Sequence, residues 1–560
     1  MTSQISLLLR RGAPAALAVA SAALLAACGG GGGGTSATAA GRVAADSAKP
    51  TRGGTIEYGH QQEPPCISGG WVEQAYISRQ TLESLVAQDK GGKIVPWLAT
   101  SWKVSTDQKT WTFHLKPGVK FTDGTPLDAD AVKANFETWL NPKTINGTVA
   151  AYIGEYYQSS RAVDAHTFEL ELKKPYSPLL SAISQGYFGL HSPKGIARGA
   201  AAECTDPIGT GPFIIQKWSR GQNVTFVRNP DYNSAPANAK HQGPAYADKL
   251  VWKFLKEPAV RYGSLTSGQS QVIYDVPSVD WDAAKAKYQV LRYLTPGRPV
   301  TLTLNVTHAP FDDVRVRQAL AYALDRKAAV KSAFGGASEY NGNPALSQST
   351  PDYDPALADA YTYQPDKANA LLDAAGWTGR GKDGVRTKDG KELTATITDG
   401  AGSIINNDGA TLLQTLQQQA KQVGFRWQLK PLTQTQLFGG EYAAPDKYNA
   451  TPGYWTSPTA GVLYIVWRQN LKDRPNGANN AYYNNPELEE TIGAANSTLD
   501  PAEQKALYFK AQKIVSDQAV AIGLYTRTSS LAIDTSKLRD VWLEDSQGEP
   551  VFSDAYLVKP

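Results

Sequence analysis

The chain has 560 residues, 41% of them apolar and 19% charged, which suits about two to four domain-sized units around a large core and excludes an intrinsically disordered polymer. Its formal charge of +4 is small for this length, and Lys and Arg are scattered without a basic block. Phosphate binding needs clustered cations, so no nucleic-acid partner is expected.

Residues 1–27 begin with Arg10 and Arg11, run apolar from about Ala15 to Ala27 and contain no acidic residue, the pattern of a secretory signal. The apolar stretch is too short to span a bilayer. It ends Leu25-Ala26-Ala27-Cys28, which resembles the lipobox of bacterial lipoproteins; the resemblance implies cleavage before Cys28 and acylation of that cysteine. More than one acyl chain holds a protein stably at a membrane surface, at about 0.8 kcal/mol per buried methylene. Residues 28–52, rich in Gly and Ala, read as a flexible tether.

The body opens with Gly53 to Gly59, a strand, and Ile77 to Val86 has apolar residues at helical spacing. In the stretch from Pro96 to Leu140, Trp111, Phe113 and Leu115 alternate with polar residues as in a half-buried strand, and Pro117-Gly118 breaks the chain. Val119 and Phe121 begin a second extended piece, Asp123-Gly124 turns it, and Asp128 caps a helix with Val132, Phe136, Trp139 and Leu140 on one face. The order W-x-V-x-x-x-x-x-x-W-x-F-x-L-x-x-G-V-x-F-x-D-G-x-P-x-x-A-x-x-V resembles the signature of solute-binding family 5, the extracytoplasmic receptors of peptide- and nickel-type ABC importers. Pro207-Ile208-Gly209-Thr210-Gly211-Pro212-Phe213, Arg228-Asn229-Pro230-Asp231-Tyr232 and the P-F-x-D-x-R-V-R-x-A-L run from Pro310 to Leu320 are similar to further pieces of that family.

The resemblance implies an α/β, two-lobed periplasmic-binding-protein-like fold with an additional accessory subdomain in the first lobe. Its divisions are 53–85 for the first part of lobe I, 86–206 for the accessory subdomain and 207–299 for the second part of lobe I. Lobe II covers 300–524, and 525–560 return to lobe I. Within lobe II, Asp312 or Asp313 caps a helix with Val316 and Leu320 on its apolar face, and Arg315 and Arg317 read as its solvated side rather than an anion site. Gly376 and Gly424 end two further helices, and Asp500-Pro501 opens another. Gly379 to Gly384 spells G-x-G-x-x-G but follows a helix and enters a turn-rich hairpin, the wrong context for a nucleotide site. Ala519 to Tyr525 resembles the family's return strand to the first lobe.

No H-E-x-x-H, G-x-S-x-G or P-loop occurs, and the six histidines are far apart without ligand spacing, so no catalytic residue, metal or cofactor is expected. His60 reads as a packing or surface residue. In an exported protein the two cysteines after Cys28, Cys66 and Cys204, read as a disulfide, with two separate thiols as the alternative.

Specificity is expected at Tyr454, Trp455, Thr456 and Ser457. In peptide-binding relatives the equivalent stretch places an Asp shortly after the Trp to pair with the ligand's α-ammonium; here Thr456 and Ser457 stand there. Either another acid such as Glu63 or Asp446 takes that part, or the natural ligand is not a peptide with a free N-terminus; the second is preferred. Tyr454 and Trp455 are stacking walls in this reading and core aromatics in the other. The expected protein is a monomeric, lipid-anchored receptor in the periplasm or at the cell surface, capturing a peptide-like or other small solute between two lobes and delivering it to ABC permease subunits. A nickel-chelate or metallophore receptor, an exported hydrolase and a chaperone or sensory adaptor are the rivals.

Overall fold

The computed structural model describes residues 49–68, 72–141, 147–400, 404–433, 436–437, 442 and 444–558. The signal, Cys28 and most of the tether lie outside the described residues. Three sheets organise the rest, and among the described residues no helix is long and apolar enough to cross a membrane.

The first sheet has seven strands in the order Gln289–Leu294, Thr528–Ile533, Val272–Tyr274, Thr55–His60, Lys249–Phe254, Asn223–Arg228 and Phe213–Ser219. Thr55–His60 runs parallel to both neighbours, so the chain reaches them through crossovers, and its position in the sheet buries Ile56, Tyr58 and His60. The second sheet has six strands, Glu339–Tyr340, Ala521–Thr526, Gly297–Leu304, Ala450–Thr456, Thr394–Asp399 and Arg426–Pro431. A third, antiparallel sheet orders Ala99–Val104, Thr110–Leu115, Thr167–Leu172 and Tyr157–Asp164.

Local signals in the third sheet act as physics requires. Trp111, Phe113 and Leu115 are buried while their polar neighbours in Thr110–Leu115 are half-buried. They meet the helix Ala129–Leu140, whose first turn is closed by Asp128: its Oδ1 accepts from the Ala131 N–H at 2.9 Å. Phe136 then packs on Phe168 of the sheet at a ring separation of 5.2 Å.

Several expectations are corrected. The helix expected over Ile77 to Val86 spans Val72–Ser78 instead, and Val86–Gln88 is extended. Buried polar groups in between bond to distant segments: Arg79 donates to the Ser184 carbonyl, Gln80 to the Pro550 carbonyl and Ser84 to the Gln185 carbonyl, so tertiary hydrogen bonds replace the helical ladder. The piece at Val119 and Phe121 is no strand but a turn closed by one bridge, Lys120 to Pro126. Ala521–Thr526 does not return to the first sheet; it pairs antiparallel with Gly297–Leu304 in the second, and Thr528–Ile533 is the strand that returns. Arg317 is not solvated: it is buried and donates to the carbonyls of Phe311 and Gln518, while Arg315 stays near the surface paired with Asp313. Gly297 already lies in the second sheet and Thr526 still does, so the sheets change over a few residues from 299/300 and 524/525.

Candidate functional site

The chain passes between the first and second sheets twice within the described residues of this region. One passage is Thr295-Pro296, between Gln289–Leu294 and Gly297–Leu304; the other is Arg527, between Ala521–Thr526 and Thr528–Ile533. Beside these crossings a cavity of about 50 Å³ lies between the sheets. Tyr274 and Asp275 line it from the first sheet, Tyr525 from a strand of the second, Asn406 and Asp408 from the start of a helix on the second, and Arg527 from the crossing itself.

Each group is held by local structure. Asn406 caps the helix Asn407–Gln422, its Oδ1 accepting from the Gly409 N–H at 3.0 Å, which fixes Asp408 in the first turn where the helix dipole favours an anion. Asp275 sits at a left-handed backbone position, φ 55°, just beyond the end of its strand. Burial pushes both carboxyls upward; Arg261 opposes this at Asp275, from which it is 3.3 Å, and a hydrogen bond from Ser278 opposes it at Asp408. The Arg527 guanidinium lies 5.0 Å from the Tyr454 ring and donates to the Tyr274 hydroxyl at 3.1 Å.

Side-chain contacts join the two sheets near the cavity, among them a hydrogen bond between Asn406 and Asp275. The Ser278 hydroxyl donates to Asp408 Oδ1 at 3.0 Å, and Arg292 Nη1 donates to Glu339 Oε1 at 2.7 Å. With two crossing segments behind it among the described residues, such an interface can part and close as a hinge.

Residues 93–486 match the family model of the bacterial extracellular solute-binding proteins, family 5 Middle. The chain belongs to this family. The glutathione-binding protein GsiB of Salmonella typhi is 27% identical over 484 residues, covering 84% of this chain and 88% of the relative. GsiB of Escherichia coli O1:K1 / APEC is 26% identical over 483 residues, with 84% and 88% covered. Among solved structures, NikA from Brucella suis in complex with Fe(III)-EDTA superposes with a TM-score of 0.77 at 22% identity, over 90% of this chain and 100% of that one. The oligopeptide-binding protein AppA from Bacillus subtilis, in complex with a nonapeptide, gives 0.77 at 22% identity, over 91% and 100%. The fold is therefore the two-lobed α/β architecture of periplasmic binding proteins, and the protein is an extracytoplasmic solute-binding component of an ABC importer.

Within this family-5 receptor the residues singled out from sequence separate into four groups. Tyr454, Trp455, Thr456 and Ser457 lie together where the second sheet meets the crossings. Tyr454 packs against the cores of both main sheets, and Trp455 donates its indole N–H to the Tyr152 hydroxyl of the accessory region at 3.1 Å. Tyr152 in turn donates to the Thr456 carbonyl at 2.9 Å, and the Ser457 N–H donates to the Pro296 carbonyl at 3.0 Å. Glu63 is elsewhere: its carboxylate accepts from the Trp218 indole at 2.9 Å and the Gly221 amide at 3.0 Å. Asp446 is exposed beside Lys447 at 3.3 Å. Cys66 and Cys204 are paired as a disulfide with Cα atoms 4.8 Å apart.

His60 is buried and stacked on Tyr274 with ring centroids 4.7 Å apart, and burial pushes its imidazole down to about 3, so it is a neutral packing group. Asp275, Asp408 and Arg527 were not singled out from sequence. The Asn406 cap before Gly409 marks a helix start, but nothing local marks Asp408 as facing a second lobe.

Proposed function

We propose that this chain is a lipid-anchored receptor, in the periplasm or at the cell surface, that closes two lobes on a small amine-bearing organic solute and hands it to ABC permease subunits without chemistry of its own. The observation that carries the solute class is the cavity between the lobes, where Asp408 is a carboxylate paired with no cation among the described residues. A ligand ammonium there supplies the missing charge, the part that Thr456 and Ser457 do not take. The cavity measures about 50 Å³, whereas ligand pockets commonly measure ~300–1,000 Å³, so in this reading a solute is admitted by parting the lobes about the two crossings.

Glutathione, the ligand in the names of the curated relatives, carries an amine and is the first probe. Titration calorimetry and small-angle scattering with glutathione, L-alanyl-L-alanine and N-acetyl-L-alanyl-L-alanine test the reading. Binding with contraction is expected for a probe with a free amine and not for the acetylated one. Preference for the acetylated dipeptide refutes the amine; binding of nickel–histidine alone favours the chelate receptor, and turnover of any probe favours a hydrolase.

A further inference from the structure

Six arginines are buried among the described residues: Arg79, Arg261, Arg298, Arg317, Arg326 and Arg386. Five of them are received by backbone carbonyls or carboxylates. Arg79 has the Ser184 carbonyl and Glu549, Arg261 has the Leu255 and Tyr274 carbonyls and Asp275, and Arg317 has two carbonyls. Arg326 has the carbonyls of Gly523 and Tyr361, and Arg386 has Asp373 with the Val423 and Trp377 carbonyls. Arg298 differs. Among the described residues its hydrogen bonds run only to two neutral hydroxyls, Thr301 Oγ1, 2.6 Å from Nη2, and Thr303 Oγ1. Burial pushes its guanidinium down to about 10, and among the described residues no carboxylate offsets this. A buried cation without an anion is costly, so a protein that keeps one at 5% exposure keeps it for a charge that arrives from outside.

Its place in the fold says where that charge comes from. Arg298 is the second residue after the first crossing and stands directly opposite Trp455 in the antiparallel ladder, so both side chains project to one face. The register breaks between Arg298 and Thr301, an irregularity of the kind that re-aims side chains beside binding sites. A second group there also lacks an acceptor. Trp467 is 1% exposed, its indole N–H has no hydrogen-bond partner among the described residues, and its ring centroid is 5.7 Å from the Arg298 guanidinium carbon. A guanidinium without an acid and an indole N–H without an acceptor both ask for an oxyanion.

We infer that Arg298, with the Trp467 indole N–H, receives an anionic group of the solute, a carboxylate or another oxyanion, and so sets specificity beside Trp455. This rests on the reading of the protein as a solute receptor. With an amine held near Asp408, it describes a solute carrying both charges.

The test uses wild type, Arg298→Met and Arg298→Lys as full chains exported by the native host. Native mass spectrometry reads retained solute, and calorimetry reads glutathione, L-alanyl-L-alanine and L-alanyl-L-alanine amide. Retained solutes bearing an oxyanion, a loss of at least tenfold in occupancy or affinity in Arg298→Met, an intermediate loss in Arg298→Lys, and no added loss for the amide are expected. A neutral or purely cationic solute, or undiminished binding in Arg298→Met, overturns the inference while leaving the receptor reading intact. If wild type carries and binds nothing, the receptor reading fails, and the solute-free melting temperature decides Arg298. A rise in Arg298→Met agrees with removal of an uncompensated cation; a fall assigns Arg298 a structural role and overturns the inference.

Discussion

Glu83 makes a pH-dependent stability term that can be worked from its contacts. It is fully buried where the accessory region meets the first lobe, and its carboxylate accepts four hydrogen bonds. Trp97 Nε1, at 3.1 Å, and the Tyr232 hydroxyl, at 2.7 Å, donate to Oε1; the Thr210 hydroxyl, at 2.7 Å, and Ser234 donate to Oε2. Burial outweighs these donors and pushes the group from 4.5 up to about 7. The native state therefore holds the proton more tightly than the unfolded chain, so the stabilisation is complete below about 4.5 and is lost as pH rises through about 7. Between about pH 5 and about pH 8 this single group removes about 2.5 kcal/mol. Glu83→Gln is the perturbation. Its carbonyl oxygen can keep the Oε1 position, where the indole can only donate, and its NH2 can take the Oε2 position, where both hydroxyls can turn to accept. Denaturant unfolding of both chains at the two pH values should show the cost of the substitution falling by about 2–3 kcal/mol on going to the higher pH. Comparing the two chains cancels the opposite term from His60, whose burial as a neutral ring costs stability as pH falls below about 6.5. Parallel pH profiles for wild type and Glu83→Gln would refute the reasoning.

Asp408→Asn should weaken an amine-bearing solute by about 2–5 kcal/mol, the range for removing one partner of a buried charge pair, and leave the acetylated dipeptide unchanged in titration calorimetry. The disulfide closes a sequence separation of 138 residues, for which loop entropy gives about 5 kcal/mol as an upper figure; Cys66→Ala with Cys204→Ala should lower the denaturant midpoint, and an unchanged midpoint refutes a stabilising role. Cys28→Ser should move the protein from the membrane fraction to the soluble envelope fraction on cell fractionation, and retention in the membrane fraction refutes the lipid anchor.

What was legible in the sequence was local. The alternation of Trp111, Phe113 and Leu115 needs only a two-residue period, the caps Asp128, Asp313 and Asp500 act within three residues, and Gly376 and Gly424 take the positive φ that helix ends demand. Where distant partners decide, the reading failed. Ile77 to Val86 looks helical until its polar groups find Ser184, Gln185 and Pro550. Arg317 carries the spacing of a solvated face, yet two carbonyls bury it. Ala521–Thr526 is buried at every residue, as a strand in the centre of either sheet would be, so its pattern could not say which sheet it joins. Asp275 and Asp408 meet only because the lobes bring together strands and helices far apart in the chain.

The departure from the family pattern at Thr456 and Ser457 gains a physical account in the same way. Tyr454 lies against Arg527, which is the second crossing; the Ser457 amide is bonded to the Pro296 carbonyl of the first; and Trp455 and Thr456 are both bonded to Tyr152 of the accessory region. Four consecutive residues thus touch both hinge segments and the subdomain between them. A buried carboxylate at position 456 or 457 would need a ligand cation to offset it, whereas Thr and Ser let the backbone there tie the crossings whether or not solute is present. On the proposed reading, recognition of charge then falls to other groups, the acids of the cavity and Arg298.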